Sequence, residues 1–132
     1  MKIAVGSDDL QTIRSGHFGE SKYYKVFEVE NGKIVGTKVI ENPFLKEDNA
    51  RQHAHGEAKN IMRLLSDCRI FLAKSMGMHS IPKLVQRGVK PVISQESSIE
   101  KAINDLIEGN SSLFRCFNPA KGKFETCTER LV

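Results

Sequence analysis

The stretch KYYKVFEVENGKIVGTKVIE, Lys22 to Glu41, decides the fold. Lys22–Glu30 and Lys33–Glu41 are rich in β-branched and aromatic residues, which suit a pleated, half-buried strand. Between them Asn31-Gly32 accepts the positive φ angles of a tight hairpin turn, so the two strands are antiparallel neighbours. Upstream, KIAVG (Lys2–Gly6) is a short apolar run of the buried-strand type. The segment SDDLQTIRSGHFGES that joins it to the hairpin is rich in Ser, Asp and Gly and reads as a long loop.

Downstream the period changes. NPFLKEDNARQHAH (Asn42–His55) is polar and irregular, hence a loop. GEAKNIMRLLSD, beginning at Gly56, places Ala58, Ile61, Met62 and Leu65 on one helical face. RIFLAK (Arg69–Lys74) is a short buried strand, followed by the SMGMH loop. SIPKLVQRG has Ser80 as its expected N-cap, Pro82 in the first turn and Gly88 as its stop. KPVIS is a fifth strand. SSIEKAINDLIEGN carries Ser97 or Ser98 as a cap, an apolar face of Ile99, Ala102, Ile103, Leu106 and Ile107, and a stop at Gly109. The order β-β-β-α-β-α-β-α predicts an α/β fold with one mixed sheet and helices packed against it. Residues 110–132 form a tail that adds a strand or a hairpin.

Composition narrows the function. At 132 residues, 39% hydrophobic and 27% charged, the chain is sized for one domain that folds without a structural metal. The 20 basic residues are scattered and there is no Trp. A nucleic-acid surface needs a basic stripe interleaved with stacking residues, so none is expected. No leader-like opening and no run of ~18 apolar residues is present, and the expectation is a cytoplasmic protein without a membrane span. Cys68, Cys116 and Cys127 cannot all pair; with no CxxC to make a zinc site, free thiols are expected.

Chain reversals gather the four histidines. If the first strand runs upward, its loop with His17 lies at the top, as do the loop carrying His53 and His55 and the SMGMH loop with His79. Ligand crevices of open α/β sheets form at that carboxyl edge. In an extended HAH, positions i and i+2 share a side, so His53 and His55 could grip one ion or cluster. Lying just before a helix N-terminus, they would be held neutral beside N–H groups that attract anions. The same stretch also reads as a solvated loop. His17 lies between Gly16 and Gly19, with Phe18 anchoring its loop. Met76 and Met78 offer soft thioethers but more often fill core gaps. Asp8 and Asp9 at a strand end suggest Mg2+ but adjacent residues point apart. No phosphate loop, Rossmann fingerprint or recognisable nucleophile is present.

The opening KIAVGSDD, the block SGHFGESKYYKVFEVENGKIV, the histidine–glycine stretch, the MG turn and SIEKAINDLIEG together resemble the dinitrogenase iron–molybdenum cofactor biosynthesis family. Its NifX-like proteins and NifB carboxyl-terminal domains are similar over about Met1 to Gly109. The resemblance implies an RNase H-like three-layer fold with a five-stranded mixed sheet. It implies a non-catalytic carrier of an iron–sulfur or molybdenum-containing cluster, working with a cluster donor or acceptor protein. By matching motif, His17, His55, Gly56 and the Met76-Gly77 turn would line the site, with Phe18 and Gly19 beside His17 as further cofactor contacts. His53 and His79 depart from the family pattern and are secondary ligands beside His17 and His55. Arg14 and Lys74 would offset the charge of an anionic cluster. Two other readings stand beside it: a Mg2+-dependent nuclease or phosphotransferase built on the aspartates, and a regulatory protein-interaction module without metal.

Overall fold

The computed structural model describes residues 1–45 and 59–132 in full and 53–58 as helical backbone, while 46–52 lie outside the described residues. The strands are β1 (Lys2–Ser7), β2 (Tyr23–Glu30), β3 (Lys33–Glu41), β4 (Ile70–Ala73), β5 (Lys90–Ser94), β6 (Phe114–Asn118) and β7 (Lys123–Thr126). The helices are α1 (His53–Leu64), α2 (Ile81–Gln86) and α3 (Ile99–Ile107), with a short 3-10 turn at Phe18–Glu20. One sheet of order β3-β2-β1-β4-β5-β6-β7 contains every described strand. β4 lies parallel to β1 and to β5, and all other neighbours are antiparallel.

Alternation along β1 sorts the core. Ile3 and Val5 point to one face, where they meet Ile70, Leu72, Val92 and the α3 side chains Ile99, Ala102, Ile103 and Leu106. Ala4 points to the other, where Tyr24, Val26 and Phe71 are covered by Ile61, Met62 and Leu65 around α1 and by Leu84 of α2. Each large apolar side chain buried there contributes roughly 1.5–3 kcal/mol. α3 is capped by Ser98, whose hydroxyl accepts the Lys101 N–H at 3.2 Å, and Gly109 ends it with φ +83°.

Register fixes a common upper edge. Ser7 lies opposite Tyr23 and Tyr23 opposite Glu41, while Val5 pairs with Leu72 and Ala73 with Ile93. The chain after α1 is held at the lower edge, where the Lys2 ammonium meets Asp67 at 2.7 Å and the Arg69 N–H donates to the Lys2 carbonyl at 2.9 Å.

Four sequence expectations change. The sheet has seven strands, not five, because residues 114–126 form a hairpin that extends it beyond β5. α1 starts at His53 rather than Gly56, so the HAH stretch is helical rather than extended backbone. Ser80 stands at the N-cap of α2 as expected, but its side chain accepts no helix N–H; its hydroxyl donates to the Gly77 carbonyl at 3.0 Å instead. Finally, Cys116 and Cys127 are not free thiols but a disulfide with a Cα–Cα distance of 5.1 Å. The hairpin sets Cys116 opposite Glu125, and the chain leaving β7 brings Cys127 back so that its N–H donates to the Phe114 carbonyl at 3.0 Å. Cys68 is free and buried, and burial pushes its thiol up to about 12.

The disulfide closes a loop of 11 residues, for which chain entropy gives about 2–4 kcal/mol. Cys116→Ser is expected to lower Tm by roughly 10 °C, as followed by thermal unfolding with and without reductant. Reductant should lower the wild type by the same amount and leave the variant unchanged.

Candidate functional site

The loop between β1 and β2 is a built object. Asp9 begins it as a hub: its Oδ1 accepts the N–H groups of Gln11 and Thr12 at 2.9 and 2.8 Å, and the Thr12 hydroxyl donates to both carboxylate oxygens. These hydrogen bonds favour the ionised carboxylate, and the Thr12 and Gln11 N–H groups lower its pKa from 3.8 to about 2. Asp8 accepts the Lys22 N–H at 3.0 Å and forms an ion pair with Arg14. The two aspartates thus point to different partners, as adjacent residues do, and both serve the loop.

Arg14 fastens the middle. Besides Asp8 it reaches Glu20 at 3.7 Å and donates from Nε to the His17 carbonyl at 3.2 Å. Its guanidinium is therefore engaged within the loop. Lys74 differs: among the described residues its ammonium meets the Ser97 hydroxyl at 2.6 Å and no carboxylate.

Phe18 anchors the far end. Its ring stacks on Phe71 with centroids 4.7 Å apart and lies 5.0 Å from Tyr24. The Phe18 carbonyl accepts hydrogen bonds from the hydroxyls of Ser21 and Tyr24 at 2.8 and 2.9 Å. Asn42, buried at the end of β3, donates to the Ser21 carbonyl at 2.8 Å and to the Gly19 carbonyl at 3.3 Å. Gly6 makes room for this: a Cβ there would sit 2.2 Å from Ser21 Oγ and 3.2 Å from Phe18 Cδ1. Nothing in the sequence marks Ser21 or Asn42, since polar residues at the ends of loops look like loop filler. Buried polar groups require partners, and these two are the partners.

With Phe18 fixed, its N–H donates to the Ser75 carbonyl at 3.1 Å. His17 and Ser75 form a parallel bridge that ties the loop after β1 to the loop after β4. His17 is exposed, and its Nδ1 lies 4.0 Å from where a Cβ on Gly77 would stand. Met76 is partly buried against the core beneath, while Met78 and His79 are exposed. Gly19 has open space where a side chain would project. The structure therefore brings His17 beside Ser75 and Gly77, packs Met76 against the core that holds Phe18, and uses Phe18 as the buried pin. The side chains of His53, His55 and Gly56's neighbours lie outside the described residues. Among the described residues no three His, Cys, Asp or Glu side chains gather to hold a metal ion, and no helix is long and apolar enough to cross a membrane.

A small mixed α/β domain with a pinned, glycine-flanked histidine at its sheet edge is the class that these features define. The family model for dinitrogenase iron–molybdenum cofactor proteins matches residues 1–109, and the chain belongs to that family. An uncharacterized protein of Methanocaldococcus jannaschii is 27% identical over 116 residues, covering 86% of this chain and 92% of that one. Two solved structures show the same fold. PH0822 has a TM-score of 0.67 at 22% identity, covering 93% of this chain and all of that one. The apo form of the orange protein from Desulfovibrio gigas has a TM-score of 0.62 at 16% identity, covering 97% and 93%. The β6–β7 hairpin and its disulfide lie beyond the family segment.

Two outcomes test the construction. Phe18→Ala is expected to cost about 3–5 kcal/mol in urea unfolding, with amide exchange at Phe18 accelerated more than at α3. Asp9 has a folded pKa below its ordinary value, so its contribution is full above about pH 4. It fades as pH falls toward about 2. The Tm difference between wild type and Asp9→Asn should be constant near neutrality and narrow below pH ~4; a gap that stays constant would contradict the assigned role.

Proposed function

We propose that the chain carries a metal–sulfur cluster, either iron–sulfur or molybdenum-containing, as cargo at the upper edge of its sheet. It takes the cluster from a donor protein and yields it to an acceptor without transforming it. The observation that carries this reading is the exposed His17 imidazole beside Gly77, held there by the Phe18 N–H on the Ser75 carbonyl. Imidazole is a known ligand of iron–sulfur centres, and nearby N–H groups can meet an anionic cluster's sulfides. Few protein ligands also suit a cargo that must leave.

His17 is the first ligand in this reading, with His55 as its partner and His53 and His79 secondary. Met76 and Gly77 line the contact, and the Lys74 ammonium supplies positive charge toward an anionic cluster. The family name and the sheet-edge position support the reading, and the central five strands, ordered β3-β2-β1-β4-β5, suit the RNase H-like arrangement expected from the resemblance. We infer a cytoplasmic setting, in which the Cys116–Cys127 bond persists only if it resists the thiol pool. The Mg2+-dependent alternative asks Asp8 and Asp9 to bind metal, yet Asp8 holds Arg14 and Asp9 holds Thr12.

Anaerobic reconstitution with iron and sulfide tests the reading, with iron and acid-labile sulfide measured per folded chain. Wild type is expected to retain both, and His17→Ala to weaken retention about 10–100-fold, the range for losing a metal-site contact. The combined alanine variant of His17, His53, His55 and His79 should retain neither. Equal retention by wild type and the combined variant overturns the proposal.

A further inference from the structure

The two faces of the sheet are covered unequally. α1 and α2 lie on one face, while α3 alone among the described α-helices packs on the other, over Ile3, Val5, Ile70, Leu72 and Val92. A helix about 10–12 Å across cannot roof seven strands spaced ~4.8 Å apart. Cys127 and Leu131 of the tail extend the cover on the β6 side. Toward β2 and β3 a hollow remains beside α3, with a volume of about 610 Å³, inside the roughly 300–1,000 Å³ range of small-molecule sites.

The lining of this hollow divides by chemistry. Leu10, Phe27, Ile34 and Ile103 supply apolar wall. Lys25 stands among them, two residues before Phe27 on β2 and so on the same face. It is half-buried, and its ammonium lies 5.6 Å from the Phe27 ring centroid, a cation–π contact. Among the described residues that ammonium meets no carboxylate; it reaches the Leu10 carbonyl at a long 3.4 Å. Leu10 is held with φ +68°, uncommon for any residue but glycine, by its N–H donating to the Ser7 hydroxyl at 2.8 Å. A charge drawn partly out of water is costly unless paired, so Lys25 suits an anion supplied from outside.

The neighbouring groups limit that anion. The Glu96 carboxylate accepts the Ser97 and Ser98 N–H groups at 2.9 and 3.0 Å and pairs with Lys101 at 3.3 Å. The Ile99 N–H donates to the Gln11 carbonyl at 3.0 Å. The start of α3 is thus already occupied and leaves Lys25 as the positive contact. Glu100 also lines the hollow, and a carboxylate there opposes a multiply charged guest.

We propose that this hollow binds a small organic monoanion, a carboxylate or sulfonate on an aromatic body. The charged end meets the Lys25 ammonium and the body lies against Phe27, Ile34 and Ile103. The site uses none of the residues assigned to the cargo, so its failure would leave that reading standing.

Two probes of the same shape, titrated into the purified chain, test this: anilinonaphthalene sulfonate and the uncharged phenylnaphthylamine. Fluorescence gives affinity and amide NMR gives location. Wild type is expected to bind the sulfonate saturably and at least about tenfold more tightly than the neutral probe, as one charge-assisted contact allows. Amide shifts should centre on Leu10, Lys25, Phe27 and Ile103. Lys25→Gln should abolish the preference with near-ultraviolet circular dichroism unchanged, and Lys25→Arg should keep it. Asn104→Trp, which sets a large ring at an exposed position of the lining, should weaken both probes. A preference that survives Lys25→Gln, shifts centred elsewhere, or no saturable binding of the sulfonate overturns the proposal.

Discussion

The hydrogen bond from the Phe18 N–H to the Ser75 carbonyl, 3.1 Å long, is the contact on which the candidate site depends. It exists because the Phe18 ring is buried against Phe71 and Tyr24, which fixes the backbone on either side. A loop of fifteen residues, 8 to 22, held only at its ends would lose its geometry to conformational entropy. Here the apolar pin, the Ser21–Asn42 hydrogen bonds behind it and the Asp9 hub before it leave few free torsions. The consequence is an exposed imidazole in one defined place, carried on a loop that would otherwise wander.

The same logic of local bracing distinguishes the family segment from the tail. Within residues 1–109 the two faces of the sheet are covered by α1 and α2 on one side and α3 on the other. The tail extends this plan by adding β6 to the free edge of β5, then burying Phe114, Cys127 and Leu131 under α3. The disulfide holds the short hairpin closed where its own strand pairing is brief. The sheet is thereby finished on one side and left open on the other, at β3.

Most of the fold was legible because the decisive signals are local. Asn31-Gly32 set the hairpin, and the apolar periodicity of Ile99–Ile107 set α3 along with its Ser98 cap. The meeting of the loops after β1 and β4 at one edge followed from counting reversals. What was missed depends on contacts distant in sequence. Nothing near Asn42 announces that its amide will support Ser21 and Gly19, and nothing near Arg14 shows that Asp8 and Glu20 will claim its charge. The start of α1 was misplaced because Gly56 looks like a boundary while the three residues before it are compatible with helix. Cys116 and Cys127 gave no sign of pairing, since their proximity arises only once the tail folds into a hairpin.

If cargo docks where His17 and the Ser75–His79 loop meet, as we propose, amide NMR spectra before and after anaerobic loading with iron and sulfide will locate it there. A paramagnetic cluster at that edge should broaden the amides of Gly16, Phe18, Gly19, Gly77 and His79 while sparing Asp67 and Arg69 at the lower edge. Broadening centred on the Cys116–Cys127 hairpin or the lower edge, with the His17 loop unchanged, would contradict the account.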